Sequence, residues 1–475
     1  MPHFPEPVAV FRYFTELSAV PRGSGNTAGI RQWCLDKAAA LHIRAFADEA
    51  GNVILKKDAS PGYENHPVVI LQGHLDMVCA KLPDCPIHME TEPPKLIWTD
   101  EFISADGTTL GGDDGIAIAY AFALLERNDL RHPPLTVLFT NDEETGMYGA
   151  SGLSPDALTG ELLINLDSEE EGILTVGCAG GVRVHMKIPY ETEMFSGTVV
   201  KLTLHSLIGG HSGTEIHKPL MNAITAAADI LSAVRIPYRI VSLQGGVRDN
   251  VIPTSCTVSI TCQSSEIRNI CEIVSSELDK LKNAYPLEIY AALSSESYPV
   301  QHGKTLTEQA TYDMIRLIRR MPNGVQELNE KLKMPETSLN LGIIHLENGI
   351  LETDTLIRSG NNAKKQALAA LLCQTAELAG GEAAESGSYP AWEYQPDSRL
   401  EQTACRVFRT HFRRDMKIET IHAGLECGIL AAKKPGLQCI SIGPDLFDVH
   451  TPRERLSIAS AARTWEFLTE LLAEL

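Results

Sequence analysis

In "LTVLFTNDEETGMYG", residues 135–149, an apolar run ends in three adjacent carboxylates, Asp142, Glu143 and Glu144. Like charges side by side repel, so the chain must either leave them in solvent as a turn or give them a use. A multivalent cation held among them, or a proton in transit, would be such a use. Other chemistry-bearing residues share the same placement. "VVILQGHLDMV" (68–78) supplies His74 and Asp76, which point to one side of an extended backbone. "TLGGDDGIAIA" (109–119) supplies Asp113 or Asp114 where a helix begins, and "LLINLDSEEEG" (162–172) supplies Asp167. Near the other end, "SIGPDLFDVHTPRERL" (441–456) offers His450.

Each of these has an ordinary reading. A histidine beside a strand is commonly a hydrogen-bonded structural residue, an aspartate at a helix start can be a cap, and "SEEEG" (168–172) reads as a solvated acidic turn. Their joint occurrence carries more weight. Two imidazoles and several carboxylates lie at or just beyond the C-terminal ends of apolar runs, where open α/β sheets bind their ligands. Mixed histidine and carboxylate ligands suit zinc, or manganese and cobalt, and a pair of such ions needs a bridging carboxylate.

The elements that must position these groups follow from hydrophobic periodicity. Helices are predicted over about 7–19 and 27–41, and the nearly all-apolar "GIAIAYAFALLE" (115–126) predicts a buried helix. Short apolar runs at 52–57, 67–73, 135–140 and 162–167 predict strands buried on both faces. The fold class is therefore α/β: a mostly parallel sheet with helices on both faces. From about residue 190 the runs alternate apolar and polar residues, with helices expected at 219–234, 266–283, 305–320 and 362–379. That stretch reads as an inserted α+β domain, and "GGEAAESGSYPAW" (380–392) as a linker. The tail returns to the first texture: a helix over 398–413, a short helix in "GLECGILAAKK", the strand "GLQCISIG" and a last helix from about 457. The predicted organisation is a catalytic domain in two segments, 1–189 and 386–475, with an inserted lid domain over 190–385.

Composition narrows the function. The 475 residues are 44% hydrophobic and 21% charged, ordinary for a globular chain with a large core. A formal net charge of -20 argues against nucleic acid and anionic membranes as partners. "MPHFPEPVAVFRYF" does not read as a secretory signal, and no apolar stretch is long enough to span a bilayer. Eleven cysteines without CxxC pairs suggest reduced thiols and a cytoplasmic location, with Cys79, beside the His74 motif, the one candidate for more.

The order "GHLDMV", "LGGDDGIA", "NDEETGMYGA", "NLDSEEEG", "GGHSG" and "VHTPRE" resembles the co-catalytic dizinc peptidases of the aminoacylase/carboxypeptidase superfamily. Within it, "HLDMVCA", "GCAGG" and "HAGLECG" resemble the aminoacyl-histidine dipeptidases (peptidase D, carnosinase-like), from about residue 8 to the end. The resemblance implies two Zn2+ per chain, with Mn2+ or Co2+ as alternatives. It implies that His74 and Glu144 hold one ion, that Asp167 and His450 hold the other, and that Asp113 bridges them. Asp113 is chosen over Asp114 because the family places the bridging aspartate first. Asp76 would orient the His74 imidazole, and Glu143 would be the general base for the attacking water.

In the inserted domain, the resemblance makes His211 of "LIGGHSGTEIH" a residue that helps stabilise the oxyanion, against its plain reading as a turn histidine. Asn250 of "VRDNVIP" and Arg358 of "TLIRSGNN" resemble family residues that hold substrate. A planar guanidinium suits a free α-carboxylate. His422 of "HAGLECG" is expected on the substrate side, with Glu426 beside it. The function implied is hydrolysis of dipeptides, of the Xaa-His type with broad tolerance, and closure of the inserted domain would exclude water. An aminoacylase or tripeptidase would use the same ligands and base. A metal-binding homologue without turnover would have no need of Glu143. Small peptides are the expected partners, and a homodimer is left open.

Overall fold

The computed structural model describes residues 4–396 and 398–475. The chain forms two compact units. One comprises residues 1–177, 394–420 and 425–475, and the other 178–393 and 421–424.

The first unit is built on an eight-stranded sheet. Its order is Arg44–Ala47, Val53–Lys57, Leu135–Thr140, Val69–His74, Leu162–Asn165, Gln438–Ser441, Ile173–Cys178 and Lys417–Ile421. The four central strands, from Leu135–Thr140 to Gln438–Ser441, run parallel. Antiparallel pairing enters on either side of them. The expected parallel sheet is thus its centre. Every residue of Val69–His74 and of Leu135–Thr140 is buried. Successive side chains point to opposite faces, so both faces are covered. The Gly112–Glu126 helix is buried from Gly115 to Leu125, as its lack of a polar face requires. The tail supplies Gln438–Ser441, which pairs with Leu162–Asn165 and so completes the first segment's sheet.

A smaller antiparallel sheet joins the two ends of this unit. Leu446–Phe447 and Arg455–Ser457 pair with each other, and the latter also pairs with Phe102–Ala105. The loop carrying His450 is thereby fastened beside the segment that leads to Asp113.

The second unit holds a nine-stranded sheet with antiparallel pairing throughout and helices Ala223–Ala233, Ile267–Ala284, Glu308–Arg320 and Asn362–Leu378. Two sequence expectations are corrected here. Residues 380–392 are not a linker, because Glu382–Tyr389 is a strand paired with Gly180–Pro189. The latter pairs with Ile350–Ser359 as well, so it belongs to the inserted sheet. Val182, Val184, Met186 and Ile188 turn inward while Arg183, His185 and Lys187 turn outward, the period of a half-covered strand. The boundaries expected after residues 189 and 385 therefore move to 177/178 and 393/394.

Candidate metal centre

Register places the ligand-type side chains of the first unit at one edge of its sheet. His74 lies opposite Thr140 and Gln72 opposite Asn165, so these three strands end at nearly the same level. Asp76, Glu143, Glu144 and Asp167 follow within a few residues of those ends. Asp113 stands in the first turn of the Gly112–Glu126 helix.

The side chains converge closely. The His74 Nε2 atom is 2.9 Å from Asp113 Oδ1 and 3.5 Å from Asp167 Oδ1. His450 Nε2 is 3.1 Å from Asp113 Oδ2 and 3.0 Å from Glu144 Oε1. The two oxygens of Asp113 are thus shared between two imidazoles, as a bridging carboxylate requires. Asp167 also stands beside His74, and Glu144 beside His450. Glu144 is not remote from His74, since donor atoms of His74, Asp113 and Glu144 all lie within 4.8 Å of one another. The shortest imidazole contacts group His74 with Asp167 and His450 with Glu144, with Asp113 touching both imidazoles.

Asp76 does more than face an imidazole. The His74 Nδ1 atom is 3.0 Å from the Asp76 carbonyl and 3.5 Å from its carboxylate. That carboxylate accepts hydrogen bonds from the backbone N–H of Glu143 (2.9 Å), the N–H of Glu144 (3.3 Å) and the Ser24 hydroxyl (2.7 Å). One buried side chain therefore fixes both the histidine and the acidic run. Asp114, the neighbour not expected to ligate, accepts the His74 backbone N–H at 3.0 Å. Its carboxyl fills the space above Gly73, where an added Cβ would come within 2.4 Å of Asp114 Oδ2.

Electrostatics describe a site with excess negative charge. Burial, reinforced by neighbouring carboxylates, raises Glu143 and Asp114 well above the usual carboxylate range and Asp167 to about 6. Hydrogen bonds to Asp113 and Glu144 push His450 up to about 11. Burial opposes protonation of His74, but Asp167 and Asp113 outweigh it and raise that group too. Carboxylates crowded around two imidazoles favour a cation among them. Five donors in two sets, with a shared carboxylate between them, fit a pair of such ions.

The acidic turn after Asp167 is not simply solvated, contrary to the sequence reading. Glu171 has only 7% side-chain exposure and is paired with Arg463 and Arg414.

The second unit gathers the other expected residues. His211 and Val251 pair across a two-stranded ribbon, next to Asn250, whose carbonyl accepts the Ser212 N–H at 2.9 Å. A Cβ on Gly213 would stand 2.5 Å from the His422 carbonyl, 3.0 Å from the His211 ring and 3.2 Å from Arg358 Nε. Only glycine leaves room for these three to meet. His211 Nδ1 accepts the backbone N–H groups of Gly213 (3.3 Å) and Thr214 (3.2 Å), which leaves the proton on Nε2. Burial and the Arg358 charge lower its pKa and that of His422, the latter to about 3, so both rings are neutral. The Arg358 side chain is buried and donates to the Tyr389 hydroxyl at 3.0 Å, but its Nε–H has no partner among the described residues. A buried guanidinium with an open donor suits an anion.

Sequence reasoning missed two buried charges of the first unit, Arg22 and Glu454, each 2% exposed. Glu454 lies within the quoted "VHTPRE", but nothing in its spacing marks it, because its partners are backbone amides. Glu426, known from sequence only as a neighbour of His422, is fully buried in the first unit and accepts from Gln72 at 2.6 Å and from Thr140. Burial raises its carboxyl to about 8.

Among the described residues, no two cysteines are joined by a disulfide. Among the described residues, no helix is long and apolar enough to cross a membrane.

Known proteins resemble this chain over nearly its whole length. The chain is similar to the cytosol non-specific dipeptidase of Escherichia coli (strain K12), with 34% identity over 477 residues, covering 99% of this chain and 98% of that protein. The crystal structure of aminoacylhistidine dipeptidase from Vibrio alginolyticus superposes with a TM-score of 0.90 at 31% identity, covering 98% of this chain and 96% of that one. Aminopeptidase PepT from Bacillus cereus shares the fold, with a TM-score of 0.59 at 17% identity and 98% of both chains covered. Residues 70–474 match the description peptidase family M20/M25/M40, and the chain belongs to that family.

Proposed function

We propose that the protein is a dinuclear metallo-dipeptidase that cleaves Xaa-His and other short dipeptides, with Glu143 as its general base. The observation that carries this reading is Asp113, whose two oxygens each face a different histidine. The full-length similarity to two dipeptidases supports the reaction class and the dipeptide substrate. His74 and Asp167 would hold one ion, Glu144 and His450 the other, with Asp113 common to both. Zn2+ is the expected metal, and the same donors accept Mn2+ or Co2+. When bound, the ions supply Lewis-acid polarisation of the scissile carbonyl and acidify the attacking water.

The chain's own groups carry the rest. Glu143 takes the proton of the water at its carboxylate and delivers it to the departing amine nitrogen. Asp76 keeps Glu143 in place through its backbone N–H, so the base is held without its carboxylate being consumed. His211, neutral with its proton on Nε2, is suited to donate to the oxyanion. Arg358 is suited to the free carboxylate of a dipeptide, and Asn250 and His422 to the substrate around it. The similarity to a cytosolic dipeptidase supports residence in the cytoplasm.

The test is turnover of a dipeptide panel by zinc-loaded protein, set beside tripeptides and N-acyl amino acids. Hydrolysis confined to dipeptides, with histidine favoured at the second position, is expected. Preference for N-acyl amino acids or tripeptides would replace this reading with an aminoacylase or a tripeptidase. Arg358 adds a second expected result. Arg358→Ala should raise KM for a free dipeptide while leaving its C-terminal amide nearly unaffected, and a cycle over both substrates reads the coupling. Equal losses on the two substrates would give Arg358 to the fold instead.

A further inference from the structure

We infer that Arg22 and Glu454 are a pair of positioning residues that set Asp113 where both ions can reach it, an inference that rests on Asp113 being the shared ligand. The Glu454 carboxylate accepts four consecutive backbone N–H groups. Oε2 takes Leu110 at 2.8 Å and Gly111 at 3.0 Å, while Oε1 takes Gly112 at 2.7 Å and Asp113 at 3.3 Å. These are the donors of the turn that leads into the Gly112–Glu126 helix. Arg22 grips the other side of the same turn through the Gly111 carbonyl. Its second nitrogen, Nη1, donates to the carbonyls of Leu75 and Asp76, each at 3.0 Å, just beyond His74.

Three ligand-bearing segments are thus joined through two buried charges. Arg22 ties the His74 segment to the Asp113 turn. Glu454 ties that turn to the loop that carries His450 four residues earlier. Neither charge is spent on an ordinary ion pair: among the described residues, no carboxylate lies within salt-bridge distance of Arg22, whose charge faces carbonyls. Placing two ionised groups away from water is costly unless their hydrogen bonds are satisfied, and here both are directed at the backbone that sets Asp113.

The glycines of "LGGDDG" are explained by the same contacts. A Cβ on Gly111, whose φ is +73°, would lie 2.6 Å from Arg22 Nη2, and one on Gly115 would also lie 2.6 Å from it. A Cβ on Gly112 would lie 3.2 Å from Glu454 Oε1 and 2.6 Å from Leu446 Cδ2. Side chains at these positions would push the two charges off the turn. Because Asp113 serves both ions, a displaced turn weakens both sites together, whereas loss of a one-ion ligand weakens one.

The test is zinc affinity of the full-length, metal-loaded protein, read by competition with a chromophoric chelator, for Glu454→Gln, Glu454→Asp and Arg22→Lys. Groups that hold metal ligands in place are typically worth 10–100-fold in metal affinity, and a loss of that order at both sites is expected, with excess zinc restoring part of the activity. Glu126→Gln is the control. It removes a carboxylate that pairs with Arg12 and Tyr13 at the far end of the same helix, so it should lower Tm and leave zinc affinity unchanged. Wild-type zinc affinity in the folded Glu454 and Arg22 variants would overturn the inference, as would an equal affinity loss in Glu126→Gln. Should Glu454→Gln fail to fold, Glu454→Asp and Arg22→Lys carry the same comparison, since both keep the charge and shorten or blunt the contact. A wild-type protein that binds only one ion would instead remove the shared-ligand reading on which this rests.

Discussion

Glu143→Gln should lower kcat by roughly 10²–10⁴-fold, the usual contribution of a general base, while two ions remain bound. Glutamine keeps the size and most of the hydrogen-bonding capacity of glutamate but cannot accept the proton of the attacking water. The loss belongs at the upper end of that range because the same carboxylate also returns a proton to the leaving amine. The geometry argues that metal content survives, since the residue is anchored to Asp76 through its backbone N–H, which the substitution leaves intact. Glu144→Gln should behave otherwise. Its carboxylate contacts His450, so the variant should lose the ion shared with that histidine and regain activity when zinc is added. Asp142→Asn should be the mildest of the three. Asp142 accepts the Gly25 N–H at 2.6 Å and sits at φ +50°, a left-handed conformation that asparagine also tolerates. Metal stoichiometry measured beside kcat for each variant separates the roles. If Glu143→Gln loses metal while Glu144→Gln keeps it, base and ligand have been interchanged.

The acidic run that opens the sequence thus has three members with three different fates, and only part of this is legible in the chain. The strand before it is legible because Leu135–Thr140 is apolar on both faces, which forces it into the middle of a covered sheet. The convergence of His74, Glu143, Glu144 and Asp167 follows from that, since parallel neighbours end at a common edge. The pairing within the site is not legible. Glu144 and His450 are 306 positions apart, and whether they face each other depends on how the 446–457 hairpin is fastened to Phe102–Ala105. Glu382–Tyr389 was hidden for another reason. Its small and polar residues leave most of the strand exposed, so composition resembles a linker while the backbone hydrogen bonds define a strand. Arg22 and Glu454 were hidden because their partners are peptide groups, which every sequence contains.

Removing ligands one at a time should sort the metal centre into two halves, and its largest single effect should come from Asp113→Asn. A neutral amide in place of the shared carboxylate weakens both ions, so activity should fall to background and zinc content below one per chain. His74→Ala and Asp167→Asn should each leave about one ion, and it should be the same ion, because His74 contacts both Asp167 and Asp113 Oδ1. His450→Ala and Glu144→Gln should each leave the other ion, because His450 contacts both Glu144 and Asp113 Oδ2. Double variants make the assignment independent of absolute affinities. Combining two ligands of one half should lose little more metal than either alone, whereas combining one from each half should empty the site. The readout is elemental analysis after dialysis against a weak chelator, with activity recovered by zinc titration. The result that would restore the partition expected from sequence is equally definite: His74→Ala paired with Glu144→Gln losing one common ion, and Asp167→Asn paired with His450→Ala losing the other. Full activity with one ion or fewer per wild-type chain would remove the dinuclear centre altogether, and Asp113 would then be an aspartate hydrogen-bonded between two histidines and no bridge.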